Sequence, residues 1–124
     1  MLTTTTAIRN AYQQYGIKPF YQQFGDSYRN PHEPAIGKII QAIHTTCQPD
    51  WTKVLDLACG SGEVTLALYA LGYTNITGMD PYTHLAYLKR TGTSAEQYGF
   101  EDIEQGRLAN QHYTIMVCSF ALHL

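Results

Sequence analysis

Several things are scarce in this sequence, and each shortage narrows what the chain can be. Charge is sparse and nearly balanced: 8 Lys and Arg against 10 Asp and Glu, a formal net charge of −2. Nucleic-acid binders carry a basic patch or stripe, so nucleic acid is not an expected partner. Cysteine is rare and odd in number, and the wide spacing of Cys47, Cys59 and Cys118 does not suit a disulfide framework. Reduced thiols in a cytoplasmic protein are the simplest expectation. No window comes near the roughly 18 uncharged apolar residues of a membrane span. The N-terminus, Met1-Leu2 followed by Thr3 to Thr6, lacks the basic and apolar regions of a signal peptide. The five histidines show no ligand spacing, so no metal site is expected. With 124 residues, 44% of them hydrophobic, what remains is one soluble globular domain.

What is present centres on Val54-Leu55-Asp56-Leu57-Ala58-Cys59-Gly60-Ser61-Gly62-Glu63. A short apolar run ends on a carboxylate, small residues and two glycines follow, and an amphipathic helical pattern begins at once. This is the order of a parallel strand, a tight turn and a helix N-terminus, where α/β proteins bind nucleotides.

Before that stretch, residues 1–50 read as a helical leader. Ile8, Ala11, Tyr12 and Tyr15 share a helical face that stops at Gly16, and a short second piece runs from Pro19 to Phe24. Tyr28-Arg29-Asn30-Pro31-His32-Glu33-Pro34 is a rigid elbow, because each proline pushes its predecessor out of the α region. A helix with Ile36, Ile39, Ile40 and Ile43 on one stripe follows, and Gln48-Pro49-Asp50 breaks it.

From residue 51 to 124 strands alternate with helices, which makes the fold α/β. Val54 to Ala58 is a strand, and Val64, Ala67, Leu68 and Leu71 form a helical stripe ending at Gly72. Ile76 to Met79 is a second strand, ending on Asp80. Pro81 opens a helix carrying Leu85 and Leu88, closed near Gly92. A weakly marked third strand lies around Ala95 to Tyr98. Tyr113 to Cys118 is a nearly continuous apolar run, the pattern of a strand buried on both faces. Three carboxylates follow strand ends: Asp56, Asp80 and Asp102, separated by 24 and 22 residues, each about one strand–helix unit. Consecutive strand ends of a right-handed parallel fold share one sheet edge, so the three should line one crevice. A carboxylate there can accept hydrogen bonds from a ribose diol or an adenine amino group.

These residues resemble the motifs of class I S-adenosylmethionine-dependent methyltransferases. Asp56 to Gly62 is similar to the family's acidic residue followed by G-x-G-x-G, with Ala58 in place of the first glycine. Ile76 to Tyr82 resembles the second motif, whose acidic residue holds the ribose hydroxyls. Phe100-Glu101-Asp102-Ile103 resembles the third, where a carboxylate meets the adenine amino group and the next residue offers a backbone N–H. Tyr113 to Leu124 resembles the fourth strand and its loop, although the family often has an acidic residue where Thr114 stands. The resemblance implies a Rossmann-like three-layer sandwich with a mainly parallel sheet in the order 3-2-1-4, S-adenosylmethionine as cofactor, and methyl transfer. It assigns cofactor contacts to Asp56, Ala58, Cys59, Gly60, Gly62, Asp80, Pro81, Tyr82, Asp102, Ile103 and Ser119.

A dinucleotide-binding domain is the main competitor, but its G-x-G-x-x-G/A fingerprint needs a small third residue where branched Thr65 stands. Asp56 would also repel a pyrophosphate. Cys59 and Cys118 read as small packing residues. His123, five residues past Cys118, is the best-placed general base if the acceptor arrives protonated, and His32 is the second. Cys118-Ser119-Phe120-Ala121 lacks the [N/D/S]-P-P-aromatic sequence of amino-directed enzymes, so a small-molecule acceptor is expected. The alternatives are a cofactor-binding fragment without turnover and an interaction module that keeps only the fold. Four expected strands, where the family's sheet has seven, leave the fourth at an open edge. The expectation is therefore an N-terminal part of a longer methyltransferase, or a second chain covering that edge as in a homodimer.

Overall fold

A computed structural model describes residues 29–119. The helices expected within residues 1–28, and His123 with the loop from Phe120 onward, lie outside the described residues. The element order is α1 (Glu33–Cys47), β1 (Val54–Leu57), α2 (Glu63–Ala70), β2 (Ile76–Met79), α3 (His84–Thr91), α4 (Phe100–Glu104) and β3 (Ile115–Cys118).

The three strands form one parallel sheet in the order β2-β1-β3, with Val54 opposite both Ile76 and Ile115. The expected third strand shrinks to a single parallel bridge between Met79 and Glu96 on the far side of β2. Its position agrees with the order 3-2-1-4. Its sequence, Glu96-Gln97, has no β-branched residue to line a buried face, so pairing ends after one residue.

Alternation along β1 divides the core into two layers. Val54 joins Ile36, Ile40, Trp51, Val64, Leu68 and Ile76 on the side of α1 and α2. Leu55 and Leu57 join Met79 on the opposite side, under Tyr98, Ile103, Leu108 and Tyr113. Helix α1 thus shares its core with β1 and α2, and packing is continuous across residue 50. With helical layers on both sides of the sheet, the fold is the Rossmann-like α/β sandwich.

Two details depart from the sequence reading. Leu85 and Leu88, the apolar residues that mark α3 in the sequence, are exposed, while Ala86 and Tyr87 are fully buried. Gly78 explains the rotation: a Cβ built there would lie 2.5 Å from the Tyr87 ring, so the missing side chain makes the seat for the aromatic ring. The apolar run of β3 is not buried on both faces either. It forms a sheet edge on which Met116 is 55% exposed. An apolar groove of about 300 Å³ lies beside it, lined on one side by Ile36, Ile39, Ile40 and Ile43 and ending at Ser119.

Candidate functional site

The turn after β1 is built by backbone conformations few residues adopt. Ala58, Gly60 and Gly62 all have positive φ, at 53°, 58° and 91°. Gly62 has no alternative: a Cβ would come within 2.5 Å of Thr91 Cγ2 and 3.2 Å of the Tyr87 ring. Ala58 occupies a left-handed position with a side chain, at a cost of about 1–2 kcal/mol. Closing the turn, the Gly62 N–H donates to the Cys59 carbonyl at 2.9 Å and the Cys59 N–H to the Met79 carbonyl at 3.1 Å.

Asp80 joins this turn to the end of β2. One carboxylate oxygen accepts the Gly60 N–H at 3.2 Å and the other the Tyr82 N–H at 2.9 Å. The acidic residue of the second strand and the glycine turn of the first are therefore in direct contact at one sheet edge. Each oxygen retains a lone pair for a further donor. Pro81 and Tyr82 continue this rim, both half-buried.

Asp56 points into the α1–α2 layer and is buried. Oδ2 accepts the Thr65 hydroxyl at 2.7 Å. Because Thr65 donates there, the Tyr87 hydroxyl 2.8 Å away must donate to Thr65, giving an ordered chain Tyr87 to Thr65 to Asp56. Oδ1 has no partner. Burial pushes the carboxyl up to about 8, against the lowering effect of the Thr65 hydrogen bond, and nearby Glu63 and Asp80 push the same way as burial. Thr65 was read from sequence as an obstacle to a dinucleotide. In the fold it is also the partner of the motif's acidic residue.

The remaining expected contacts are placed as follows. Cys59 is buried, and burial drives its thiol far above the ordinary range. Asp102 lies on the first turn of α4, not at a strand end, and its carboxylate accepts the Gly99 N–H at 2.8 Å. Gly99 packs against Pro81, since a Cβ there would lie 3.4 Å from Pro81 Cγ, so α4 begins beside the rim that Asp80 starts. The Ile103 N–H, which the resemblance assigns to the adenine, is engaged with the Gly99 carbonyl at 3.3 Å, and its side chain packs in the lower core. Ser119 directly follows β3 and lines the apolar groove. Thr114 sits at the opposite sheet end, where its hydroxyl donates to the Asp50 carbonyl at 2.7 Å. Among the described residues no group of three or more His, Cys, Asp or Glu could hold a metal ion, and no helix is long and apolar enough to cross a membrane.

A family model described as "Methyltransferase domain" matches residues 55–124, which begins at β1 and takes in the glycine turn, Asp80 and β3. The chain belongs to this methyltransferase-domain family. An uncharacterized protein of Schizosaccharomyces pombe is 26% identical over 159 aligned positions, covering 95% of this chain. The chain spans 64% of that relative's length. No solved structure gives a significant match. Methyl transfer is the chemistry of the family.

Polar residues that the motifs did not flag surround the turn. Ser61 and Glu63 are buried at its end, and their side chains are hydrogen-bonded to each other. Glu63 also accepts the Asn30 N–H at 3.1 Å. Arg90 of α3 donates to Ser61 Oγ at 3.2 Å and pairs with Glu33 of α1 through both guanidinium nitrogens, at 2.6 and 2.9 Å. Glu63 directly after the second glycine carries a weak sequence signal as an acidic first-turn residue. Arg90 carries none, since a basic residue in a last helical turn is ordinarily a solvated cap.

Proposed function

We propose that this methyltransferase-domain chain binds S-adenosylmethionine at the edge formed by the β1 turn and Asp80, and that the methyl goes to a small-molecule acceptor. The observation that carries the reading is the Asp80 carboxylate bonded to the Gly60 N–H, with a lone pair left on each oxygen for ribose hydroxyls. Three features fit this cofactor. The turn from Ala58 to Gly62 allows close backbone approach, as a thin nucleoside site requires. The buried Asp56 Oδ1 has no partner in the chain, which leaves it open to an ordered water or a ligand's polar group. The Asp80 carboxylate at this edge favours a cationic cofactor end and disfavours a pyrophosphate.

The cofactor supplies a methyl group already activated on a sulfonium sulfur. The chain's task is then alignment and exclusion of water. Asp80 fixes the spacing between the two loops, Gly60 and Gly62 keep side chains out of the approach, and the Tyr87–Thr65–Asp56 chain holds the carboxyl beneath the turn in one orientation. The low density of positive charge supports a small acceptor over a nucleic acid.

Calorimetric titration with S-adenosylmethionine and S-adenosylhomocysteine tests the reading, and a methyl-transfer assay then separates turnover from binding alone. Asp80→Ala is expected to weaken S-adenosylhomocysteine by roughly 10–100-fold, because a hydrogen bond to a charged group contributes about 1.5–3 kcal/mol. Unchanged affinity in a folded variant would remove Asp80 from the site, and no heat with either nucleoside would remove the cofactor.

A further inference from the structure

Five polar residues from three parts of the chain converge on the outer side of the glycine turn, and none of them belongs to the motif contacts. Glu63 is 5% exposed and Ser61 fully buried, so both would be unfavourable there without partners. Besides each other, their partners come from outside the turn: the Asn30 backbone of the elbow, and Arg90, whose nitrogen lies 3.7 Å from Glu63 Oε1 while its fork grips Glu33. The elbow is itself shaped for this contact. Asn30 Oδ1 accepts the His32 N–H at 2.8 Å and the Asn30 carbonyl accepts the Glu33 N–H at 3.2 Å, folding the chain into a turn just before α1. A planar guanidinium can hold a carboxylate with two bonds and still reach a hydroxyl, which an ammonium cannot do in one fixed geometry. Gly62, at the N-terminus of α2, has no side chain to cap the helix.

We propose that Arg90 is a positioning residue for the cofactor site: through Glu33 it holds the start of α1, through Ser61 and Glu63 it holds the glycine turn, and so it sets elbow and turn as one unit. The part of this inference that concerns affinity rests on the cofactor reading above. The mechanical part does not. Removing the guanidinium takes away the side-chain link from Glu33 to Ser61 and Glu63, while the Asn30–Glu63 bond, the β1–β2 pairing and the Asp80 bonds stay in place.

The test uses amide hydrogen exchange on the unliganded protein, together with S-adenosylhomocysteine titration. In Arg90→Ala the Gly62 amide is expected to exchange at least about 10-fold faster while the Val54 amide in the sheet keeps its rate, since local openings are independent of global unfolding. Glu33→Gln, which keeps the shape but loses the charge, serves as the second variant and should show the same pattern more weakly. The affinity of Arg90→Ala should fall by roughly 10-fold at a temperature well below unfolding, with Arg90→Lys between it and the wild type because charge returns without the fork. Combining Glu33→Gln with Arg90→Ala should add little to Arg90→Ala alone. Unchanged Gly62 exchange, or acceleration shared equally by Val54, overturns the proposal, as does wild-type affinity in both single variants. If the wild type takes up no S-adenosylhomocysteine, the cofactor reading fails, and the exchange rates still decide the role of Arg90.

Discussion

Ala58 occupies a left-handed conformation that its motif gives to glycine, and the strain is local enough to measure. Ala58→Gly is expected to raise unfolding free energy by up to about 1 kcal/mol, relief of the Cβ clash outweighing the greater freedom of glycine when unfolded. Urea denaturation should show a higher midpoint with an unchanged slope. The reverse change at Gly62 is severe: Gly62→Ala meets Thr91 Cγ2 at 2.5 Å with φ at +91°, and a loss of about 2–4 kcal/mol is expected. Asp56 adds a pH signature. Its carboxyl is raised to about 8, so between the ordinary carboxylate range and that value the folded chain holds a proton that the unfolded chain has released. Stability therefore falls as pH rises through this window and levels off above it. Melting temperatures followed across the window should decline more steeply in the wild type than in Asp56→Asn, and equal slopes would contradict the raised carboxyl. At this scale the sequence showed which residues have chemistry but not what they touch. Asp56, Gly60, Gly62 and Asp80 stand in a local pattern whose spacing has a physical reason. Thr65, Tyr87 and Arg90 acquire roles only when three separate elements meet.

The elements show the same division between what periodicity determines and what packing decides. Helix α2 was legible because Val64 and Leu68 face a flat strand surface and obey helical spacing without interference. Helix α3 was legible as a helix, but its buried face was not, because the seat for Tyr87 is an absence, the missing side chain of Gly78 on β2. The consequence is testable. Tyr87→Ala should cost about 3–5 kcal/mol as a large buried aromatic is deleted, and Tyr87→Phe about 1 kcal/mol through loss of its bond to Thr65. Leu88→Gln, despite removing an apolar residue, should change stability by less than about 0.5 kcal/mol, because that side chain already faces water. Thermal or urea unfolding of the three variants would order them, and a costly Leu88→Gln would contradict the observed orientation of α3. The third strand failed to extend for the opposite reason. Its place in the sheet was right, but Glu96 and Gln97 supply nothing that a sheet face can bury, and one bridge is all the pairing that results.

Across the molecule, the parallel sheet joins segments at very different separations along the chain. The fold class was legible because strand and helix patterns alternate, and so was the open edge at β3; the burial of both its faces was not, because an apolar run does not reveal how much packs against each face. Pairing of β1 with β2 closes 22 residues, from Val54 to Ile76, with α2 between them to shorten the span. Pairing of β1 with β3 closes 61 residues, from Val54 to Ile115, and brings together an edge whose side chains are half in solvent. The longer closure costs about 0.9 kcal/mol more in chain entropy, and less burial offsets it. Folding should therefore start from β1, α2 and β2, with β3 arriving after the rate-limiting step. Kinetic φ-values near 0.5–0.8 at Val54, Leu68 and Ile76, and near zero at Val117, would be its signature. The glycine turn lies inside the early unit and Ser119 just beyond the late strand, so the turn takes shape before β3 has found its place.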